Sequence, residues 1–557
     1  MQRPLGAIFP ENIDKSHKKT FRSRGGNSRF ISLTSIMFIV LIAVMGVLAT
    51  RLSELTIIKG KYYRSLAEGN RIKEKKIVAP RGVIYDRNGE ALVRNVPGTL
   101  GVQREYIYGN TFAHVLGYTG EVSADELRLL NSRLPASLVY KGGDAIGKSG
   151  IEKYYEDKIR GIDGKELLEV DAKGEYIRNL GQVAPIPGGN IHLSLDLGLA
   201  KVASAAMEGK KGAIVASIPQ SGEILVLYSS PSFDPNAFAR AADVHLVLQD
   251  KNMPLFNRAI GGIYPPGSTY KIITAVGGLE TGAIKKYTKY EDVGVIVIGP
   301  YKFPNWYFLQ YGKKEGMVDI VSAIKRSNDI YFYKAGEALG VDRLVSWSRR
   351  FGLGKSLGID IEGEEEGVVP DGGWKKKTRG ESWFLGDTYH LSIGQGDLLV
   401  TPLQVNSWTN VIAGDGKLCR PYLLSDLSNL CKTLNIKKET IELVREGMRQ
   451  ACSPGGTGWP LFGFKIANSK LKIDNLDFME TIESTTSAKP MVEIATACKT
   501  GTAEFGDPQN KTHAWFTIFA PVHNPQISIT VLVESGGEGS SVAAPIAKKM
   551  LEEWFGR

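Results

Sequence analysis

The chain has 557 residues, which is more than one hydrophobic core usually organises, so we expect two folded units or more. Hydrophobic residues make up 43% of the sequence and charged residues 23%, as in an ordinary globular protein. The net charge of +10 comes from basic residues that are spread along the chain rather than gathered in one arm. The charge therefore gives no reason to expect a nucleic acid partner.

An uncharged apolar segment lies near the N-terminus. Residues 31–50 read ISLTSIMFIVLIAVMGVLAT, and about 20 apolar residues suffice for a helix to cross the hydrocarbon layer. Basic residues outnumber acidic ones before this segment, which keeps the N-terminus cytoplasmic. We predict a cytoplasmic tail at 1–29, a transmembrane helix at 30–51 and an extracytoplasmic remainder. A cleaved signal peptide and a buried core helix are the alternatives.

Two domains are predicted after this span. Residues 52–190 are rich in charge and glycine, end at the Pro/Gly cluster IPGGN, and are expected to form a small mixed pedestal domain. The second domain, 191–557, opens with GAIVASI (Gly212–Ile218) and EILVLY (Glu223–Tyr228), which flank turn residues and predict a β-hairpin.

The end of the sequence also has sheet character. Strand-like runs lie at 493–503, 513–521 and 526–534, and apolar residues at helical spacing predict a closing helix at 544–555. Further helical runs lie around Thr269–Leu279, Ile320–Leu339 and Thr440–Ala451. The fold class is therefore α+β, with an antiparallel sheet built from both ends of the domain and helices that flank it.

The first motif is Ser268-Thr-Tyr-Lys271, which follows Tyr264-Pro-Pro-Gly267 at the start of a predicted helix. A spacing of three places serine and lysine on one helix face, where a lysine of lowered pKa can take the serine proton. Taken alone the motif is weak, because S-x-x-K also occurs at Ser16, Ser322 and Ser469. A helix-capping serine and a solvated lysine are the ordinary alternatives.

Two more motifs follow. Ser327-Asn328-Asp329 is a small polar turn before an aromatic run, and Lys499-Thr500-Gly501-Thr502 lies on a predicted strand. A cation there can bind a substrate carboxylate, and Gly501 permits close approach of a peptide. Each motif has decoys elsewhere in the chain. The order S-x-x-K, S-x-[ND], K-[ST]-G within one domain is, however, the signature of serine penicillin-recognising enzymes.

The chain resembles the class B penicillin-binding proteins over nearly its whole length after residue 30. RGVIYDRNGEALVRNVP and IGKSGIEKYYEDKIRG are similar to spacer motifs of that family, and HLSIGQGDLLVTPLQ and HAWFTIFAP are similar to segments beside its active site. Asp329 in SNDIYFY resembles the elongation-specific subfamily. The resemblance implies a transpeptidase domain of serine β-lactamase-like fold that cross-links peptidoglycan stem peptides through an acyl-enzyme and binds penicillin.

The resemblance also implies roles for single residues. Ser268 corresponds to the nucleophile, Lys271 to its general base and Ser327 to a proton relay toward the leaving amine. Asp329 would orient the second motif and Lys499 would set the local potential. Thr500 and Thr502 would hold the carboxylate and the backbone of the substrate. Gly501, which permits its close approach, completes the substrate-binding set. The N–H groups of Ser268 and Thr502 would form the oxyanion hole.

Partners and departures from the family follow from the same comparison. The resemblance implies work beside a SEDS glycosyltransferase of the RodA type and other elongation-complex proteins in the bacterial cytoplasmic membrane. No cofactor is expected, and no metal, because Ile272–Arg326 contains neither His nor Cys. The head subdomain after the first spacer motif is reduced, and the long loop at 458–492 is a candidate cover for the cleft.

Two rival functions remain open on the sequence. A D,D-carboxypeptidase or β-lactamase would use the same serine but deacylate it with water, and a non-catalytic penicillin-binding scaffold would keep the fold alone. The four cysteines are expected to be small buried apolar residues, although a Cys419–Cys431 disulfide is possible in an oxidising compartment.

Overall fold

The computed structural model describes residues 33–98, 101–135, 138–171, 173–240, 244–427, 430–467, 481–482 and 491–556. Contacts divide the chain into two compact units, Met1–Lys75 with Glu166–Gln182, and Lys76–Lys165 with Val183–Arg557. This division does not follow the predicted boundary at residue 190, so the pedestal at 52–190 and the transpeptidase domain at 191–557 stay predictions. The predicted tail at 1–29 lies outside the described residues.

The α-helices, numbered in chain order, are α1 Leu33–Ser53, α2 Gly60–Arg71, α3 Ala113–Leu116, α4 Ala124–Asn131, α5 Gly150–Tyr154, α6 Glu156–Ile159, α7 Leu197–Ala206, α8 Pro235–Ala239, α9 His245–Gln249, α10 Lys271–Thr281, α11 Trp306–Tyr311, α12 Ile320–Arg326, α13 Asp329–Leu339, α14 Val341–Arg350, α15 Gly372–Arg379, α16 Leu385–Ser392, α17 Pro402–Ala413, α18 Lys438–Ala451 and α19 Ala544–Phe555.

The strands are β1 Ile72–Ile77, β2 Ile84–Tyr85, β3 Ala91–Gly98, β4 Gly101–Tyr106, β5 Thr119–Glu121, β6 Ala145–Gly147, β7 Gly164–Val170, β8 Tyr176–Val183, β9 Ile191–His192, β10 Gly212–Ser217, β11 Ile224–Ser230, β12 Tyr290–Asp292, β13 Val295–Ile298, β14 Tyr301–Pro304, β15 Gly316–Val318, β16 Lys417–Cys419, β17 Cys431–Thr433, β18 Lys465–Ala467, β19 Thr481–Ile482, β20 Met491–Glu493, β21 Ala497–Glu504, β22 Thr512–Ala520 and β23 Ile527–Val533.

The smaller unit contains the apolar segment and a short sheet. Helix α1 buries none of its side chains, an exposure that its largely apolar composition would make unfavourable in water. Within the described residues, the helical stretch Leu33–Ile58 is the one long and apolar enough to cross a membrane. Strands β1, β7 and β8 form a three-stranded sheet in that order.

The larger unit is organised by a five-stranded sheet in the order β11-β10-β23-β22-β21, with every neighbouring pair antiparallel. The predicted hairpin is confirmed as β10 and β11, and the predicted C-terminal strands are confirmed as β21, β22 and β23. Since β10 pairs with β23, the two ends of this domain meet in the middle of one sheet. The predicted α+β class, an antiparallel sheet flanked by helices, is confirmed.

Both faces of this sheet are covered. In β23, Ile529 belongs to one hydrophobic cluster with α7 and α19, and Leu532 belongs to a second cluster with α10, α13 and α17. All seven residues of β23 are buried, because it is a central strand with helices on either side. The predicted closing helix is α19, with the expected bounds.

The predicted helical run Ile320–Leu339 is two helices, so that expectation was wrong in one respect. Ser327 adopts a left-handed backbone (φ 55°) that ends α12, and the Asn328 side chain accepts a hydrogen bond from the Tyr331 N–H to start α13. A non-glycine residue in this region is strained, and such residues persist where the surrounding contacts hold them. The break falls on the second motif.

The default expectation that the cysteines are small buried apolar residues was wrong, and the Cys419–Cys431 disulfide that the sequence left open is present. The structure contains two disulfides, Cys419–Cys431 and Cys452–Cys498. The first joins β16 to β17, two paired strands. The second joins the residue after α18 to β21, directly before Lys499.

Candidate active site

The first motif is set on a turn before α10. Residues Gly267–Tyr270 form a short 3₁₀ turn, and Gly267 has φ +53°, which glycine adopts without strain. The Gly267 N–H donates to the Gly394 carbonyl (2.8 Å), and Trp515 Nε1 donates to the Pro265 carbonyl (3.0 Å). Ser268 is half-buried in this turn, while Lys271 begins α10 and is fully buried.

Lys271 Nζ is held by the second motif. It donates to the Ser327 carbonyl at 2.8 Å, to Ser327 Oγ at 3.3 Å and to Asp329 Oδ1 at 2.6 Å. Ser327 has a strained left-handed backbone, and in this conformation both its carbonyl oxygen and its Oγ contact Lys271 Nζ. Asp329, expected to orient the second motif, forms a direct ion pair with the lysine of the first.

The second motif is fixed from outside by buried polar groups. The Asp329 N–H donates to Asn305 Oδ1 (3.1 Å), and Asp329 Oδ2 accepts from the Trp306 N–H (2.9 Å). Asn305 Nδ2 and Asn328 Nδ2 both donate to Asp292 Oδ2, at 2.8 and 3.1 Å. The segment before α11 is thereby tied to the turn that carries Ser327.

The third motif lies on β21, the edge strand of the sheet. Lys499 Nζ donates to Ser327 Oγ at 2.8 Å, so the second and third motifs meet at one hydroxyl. A Cβ atom on Gly501 would lie 3.0 Å from Trp515 Cβ and 3.1 Å from the Pro266 carbonyl oxygen. Glycine therefore lets the strand approach the turn that carries Ser268. The predicted close approach of a substrate peptide at Gly501 stays a prediction.

The electrostatics of the site depend on two buried lysines and one carboxylate. Burial lowers the pKa of Lys271, against the opposing influence of Asp329. Burial and the charge of Lys271 hold the pKa of Lys499 well below its usual range. Two ammonium groups facing one carboxylate in a desolvated site are unfavourable, so the charged form of each lysine disfavours the charged form of the other.

Of the predicted site residues, Lys271, Ser327, Asp329 and Lys499 are joined by hydrogen bonds, and Gly501 and Thr502 lie against the turn that carries Ser268. Thr502 is exposed, and its carbonyl accepts from Gln395 Nε2 at 3.4 Å. The sequence missed Asp292 and Asn305, whose contacts depend on tertiary folding. It also missed Thr457, whose Oγ1 accepts a hydrogen bond from Thr500 Oγ1 at 2.8 Å. The sequence signal that could have pointed to Thr457 is the turn sequence SPGGTG at 453–458, which contains it.

The long loop at 458–492 is described only in part, and residues 468–480 and 483–490 lie outside the described residues. Its described portion includes β18, which pairs with β20. Across the part of the chain that is described, no group of three or more His, Cys, Asp or Glu side chains could hold a metal ion. The expectations of a covering loop and of no metal stay predictions.

A serine on a turn before a helix, two buried lysines and a second serine between them, beside the edge of an antiparallel sheet, define a serine acyltransferase site of the penicillin-recognising class. Comparison with known families agrees. The model of the penicillin binding protein transpeptidase domain matches residues 212–552, and that of the penicillin-binding protein dimerisation domain matches residues 99–193. The chain belongs to the penicillin-binding protein family.

Single relatives agree with this assignment. The peptidoglycan D,D-transpeptidase MrdA of Acinetobacter baumannii is 36% identical over 81% of this chain and 66% of that protein. The structure of Pseudomonas aeruginosa PBP2 in complex with WCK 5153 is 33% identical, with a TM-score of 0.70 over 86% of this chain and 96% of that one. The complex between PBP2 and MreC from Helicobacter pylori is 28% identical, with a TM-score of 0.71 over 87% and 98%.

Proposed function

We propose that this chain is a peptidoglycan D,D-transpeptidase in which Ser268 is acylated by a D-alanyl-D-alanine stem peptide. The observation that carries the proposal is the convergence of Lys271 and Lys499 on the hydroxyl of Ser327, since Lys271 lies one helical turn after Ser268 in the first motif. The names of the relatives support the reaction, and the order of the three motifs supports the assignment of residues.

The proposed chemistry is acyl transfer in two steps. The Ser268 oxygen attacks the carbonyl between the two D-alanines and passes its proton to neutral Lys271, and the terminal D-alanine leaves as an amine protonated through Ser327. An acceptor amine of a second stem peptide then attacks the ester, forming the cross-link and returning a proton to Ser268. The N–H groups of Ser268 and Thr502 are the proposed donors to the oxyanion.

The charge balance of the site suits an anionic substrate. In the free protein the two lysines face only one carboxylate, Asp329, among their hydrogen-bond partners in the described chain. The C-terminal carboxylate of the stem peptide would supply a second negative charge near Thr500 and Thr502, which favours protonated Lys499. Substrate binding would thereby favour the protonated form of Lys499 and, through it, the neutral form of Lys271 that acts as the base.

The decisive test is labelling with a fluorescent penicillin. We expect the wild-type chain to be labelled, Ser268→Ala to lose labelling completely, and Lys271→Ala to slow it by a factor of about 10² to 10⁴, the usual contribution of a general base. Ser322→Ala, in a second S-x-x-K sequence, is the matched control and should be labelled normally. Persistent labelling of Ser268→Ala would refute the nucleophile assignment.

A second measurement separates transfer from hydrolysis. With a D-alanyl thioester substrate and an added D-amino acid, a transpeptidase forms the exchanged product, whereas a D,D-carboxypeptidase releases only the free acid. We expect the exchanged product to increase with the concentration of the D-amino acid. Free acid alone at every concentration would favour the carboxypeptidase.

The cellular setting is also part of the proposal. We infer that the apolar helix anchors the chain in the bacterial cytoplasmic membrane with the catalytic unit outside, and that the enzyme works in cell-wall elongation beside a RodA-type SEDS glycosyltransferase. The apolar stretch Leu33–Ile58 supports the anchor. The solved complex of a relative with MreC supports assembly with other proteins of wall synthesis.

A further inference from the structure

The turn between α18 and the long loop, residues Ser453–Gly458, contacts both the second and the third motif. We call it the 453–458 turn. On one side, Arg326 Nη1 donates to the Gly455 carbonyl at 3.0 Å, and Arg326 directly precedes Ser327. On the other side, Thr500 Oγ1 donates to Thr457 Oγ1 at 2.8 Å. The turn therefore spans two of the three elements that form the site.

This turn is rigidly held. The Gly458 N–H donates to the Ala451 carbonyl at 2.8 Å, and a Cβ atom on Gly456 would lie 2.2 Å from that same oxygen. A Cβ atom on Gly458 would lie 2.5 Å from Cys498 Sγ. The Cys452–Cys498 disulfide closes one end of the turn against the strand of the third motif. Thr457 is thus set at a fixed position relative to Thr500 by backbone contacts and a covalent bond.

The Thr457 hydroxyl matters because of what Thr500 must do. A hydroxyl has one proton to donate and two lone pairs, whereas a carboxylate can only accept. In the free protein the Thr500 proton is directed at Thr457. When Thr500 turns its proton to a carboxylate, Thr457 can donate to the freed Thr500 oxygen, and a chain of two hydroxyls ending on an anion is stronger than a single bond.

We propose that Thr457 is a positioning residue that acts through Thr500 to recognise the C-terminal carboxylate of the acyl donor. This role rests on the proposed function and deepens it by adding a fourth element to the substrate subsite. It predicts that Thr457 affects binding of carboxylate-bearing donors and leaves the chemical step intact, because Thr457 contacts neither lysine among its described hydrogen bonds.

The test compares two donors on the full chain. One is an N-acyl-D-alanyl thioester whose leaving group ends in a free carboxylate, and the other is the methyl ester of that same carboxylate. For Thr457→Val we expect kcat/KM for the free-carboxylate donor to fall about two- to tenfold, the usual range for one neutral hydrogen bond, through KM with kcat retained. The methyl ester should react with Thr457→Val at the wild-type rate. Thr457→Ser should restore the wild-type kcat/KM for the free-carboxylate donor.

Ser453→Ala is the matched control, because it removes a hydroxyl of the same turn that donates to the Arg449 carbonyl (3.0 Å) rather than to the site. This variant should leave kcat/KM for both donors unchanged. Thr457→Ala serves as a second probe if the valine variant folds poorly, which a thermal melt will reveal. Equal loss for both donors, or no loss for either, would overturn the role of Thr457 while penicillin labelling of Ser268 stands. If the wild type is not labelled by penicillin and turns over neither donor, the proposed function is refuted, and the role of Thr457 is refuted with it.

Discussion

At the scale of single residues, the site is organised around the hydroxyl of Ser327. That hydroxyl lies within hydrogen-bond distance of both Lys271 and Lys499, and its residue is held in a left-handed conformation. The strain is compensated by the contacts of Lys271 with the Ser327 carbonyl and of Asn328 with Asp292. Ser327, the proton relay of the proposed reaction, therefore also links the first motif to the second through its backbone carbonyl.

Asp329→Asn tests the electrostatic part of this arrangement. Since Asp329 raises the pKa of Lys271 against the effect of burial, its removal lets that pKa fall further. Acylation requires neutral Lys271, so the rate rises with pH through this pKa, and the acidic limb of the pH–rate profile should move to lower pH. The maximal rate should fall about 10- to 100-fold, because a charge-assisted hydrogen bond worth about 1.5–3 kcal/mol is lost.

The measurement is the second-order rate of penicillin labelling between acidic and alkaline pH. Asp415→Asn is the control, since Asp415 pairs with Arg445 at the surface and has a left-handed backbone that asparagine tolerates. Its profile should match the wild type. A limb that stays in place or moves to higher pH in Asp329→Asn would contradict the assignment of Lys271 as the titrating base.

At the scale of elements, the pattern of apolar residues along the sequence predicted the strands of the five-stranded sheet. Alternating and continuous apolar runs predicted β10, β11, β21, β22 and β23, because a buried strand needs apolar residues whatever it pairs with. The break at Ser327 was not predicted, since a left-handed serine is stabilised by Lys271, which lies 56 residues away. The Cys452–Cys498 pairing and the contact of Thr457 with Thr500 were missed for the same reason.

The order of the three motifs predicted most of the site, because each motif keeps its own backbone geometry and the fold brings them together. It did not predict the support around them. Asp292 and Asn305 belong to a stretch without any recognised motif, and their hydrogen bonds to the second motif become visible only in three dimensions. The ion pair of Lys271 with Asp329 was likewise absent from the sequence-based account.

The Cys452–Cys498 disulfide should stabilise the element that carries Lys499. It closes a loop of 46 residues, for which the chain-entropy model gives about 4 kcal/mol of unfolding free energy. The double variant Cys452→Ser/Cys498→Ser should therefore be less stable in a denaturant melt and should label more slowly with penicillin, because β21 loses its tie to α18. Mild reduction of the wild type should have the same effect.

The second disulfide supplies the control for this prediction. Cys419–Cys431 closes only 12 residues, for which the same model gives about 3 kcal/mol, and it joins two strands away from the three motifs. Cys419→Ser/Cys431→Ser should lose less stability and should label at the wild-type rate. Slower labelling in this variant as well would mean that general destabilisation, and not the position of Lys499, controls acylation.

At the scale of the whole molecule, the chain combines a catalytic unit that has its own two-sided core with an apolar helix that buries nothing. The clusters on both faces of the five-stranded sheet contain no residue of Leu33–Ile58. Helix α1 buries none of its own side chains. Its composition instead suits a hydrocarbon environment, where about 20 apolar residues span the layer.

Removal of residues 1–58 should release an active enzyme from the membrane. After expression in bacteria, we expect the full chain to stay in the membrane pellet after alkaline carbonate. We expect the truncated chain, exported behind a cleaved signal sequence so that both disulfides form, to remain in the soluble fraction. The truncated chain should label with penicillin at a rate within about twofold of the full chain, since no catalytic contact is lost, and truncation should shift its melting temperature little. Extraction of the full chain by carbonate would contradict the anchor.

Orientation requires a separate measurement, because a span by itself has no direction. Basic residues before the helix favour a cytoplasmic N-terminus, and under the proposed topology Ser268 would then lie outside the cytoplasmic membrane. Protease added to intact spheroplasts should then digest the penicillin-labelled unit and spare an epitope tag placed at Met1. Replacing the basic residues between Lys15 and Arg29 by glutamine should weaken this preference, and the protected fraction of the catalytic unit should rise. Protection of the catalytic unit in the unaltered chain would place it on the cytoplasmic side, where no cross-linked wall exists for it to act on.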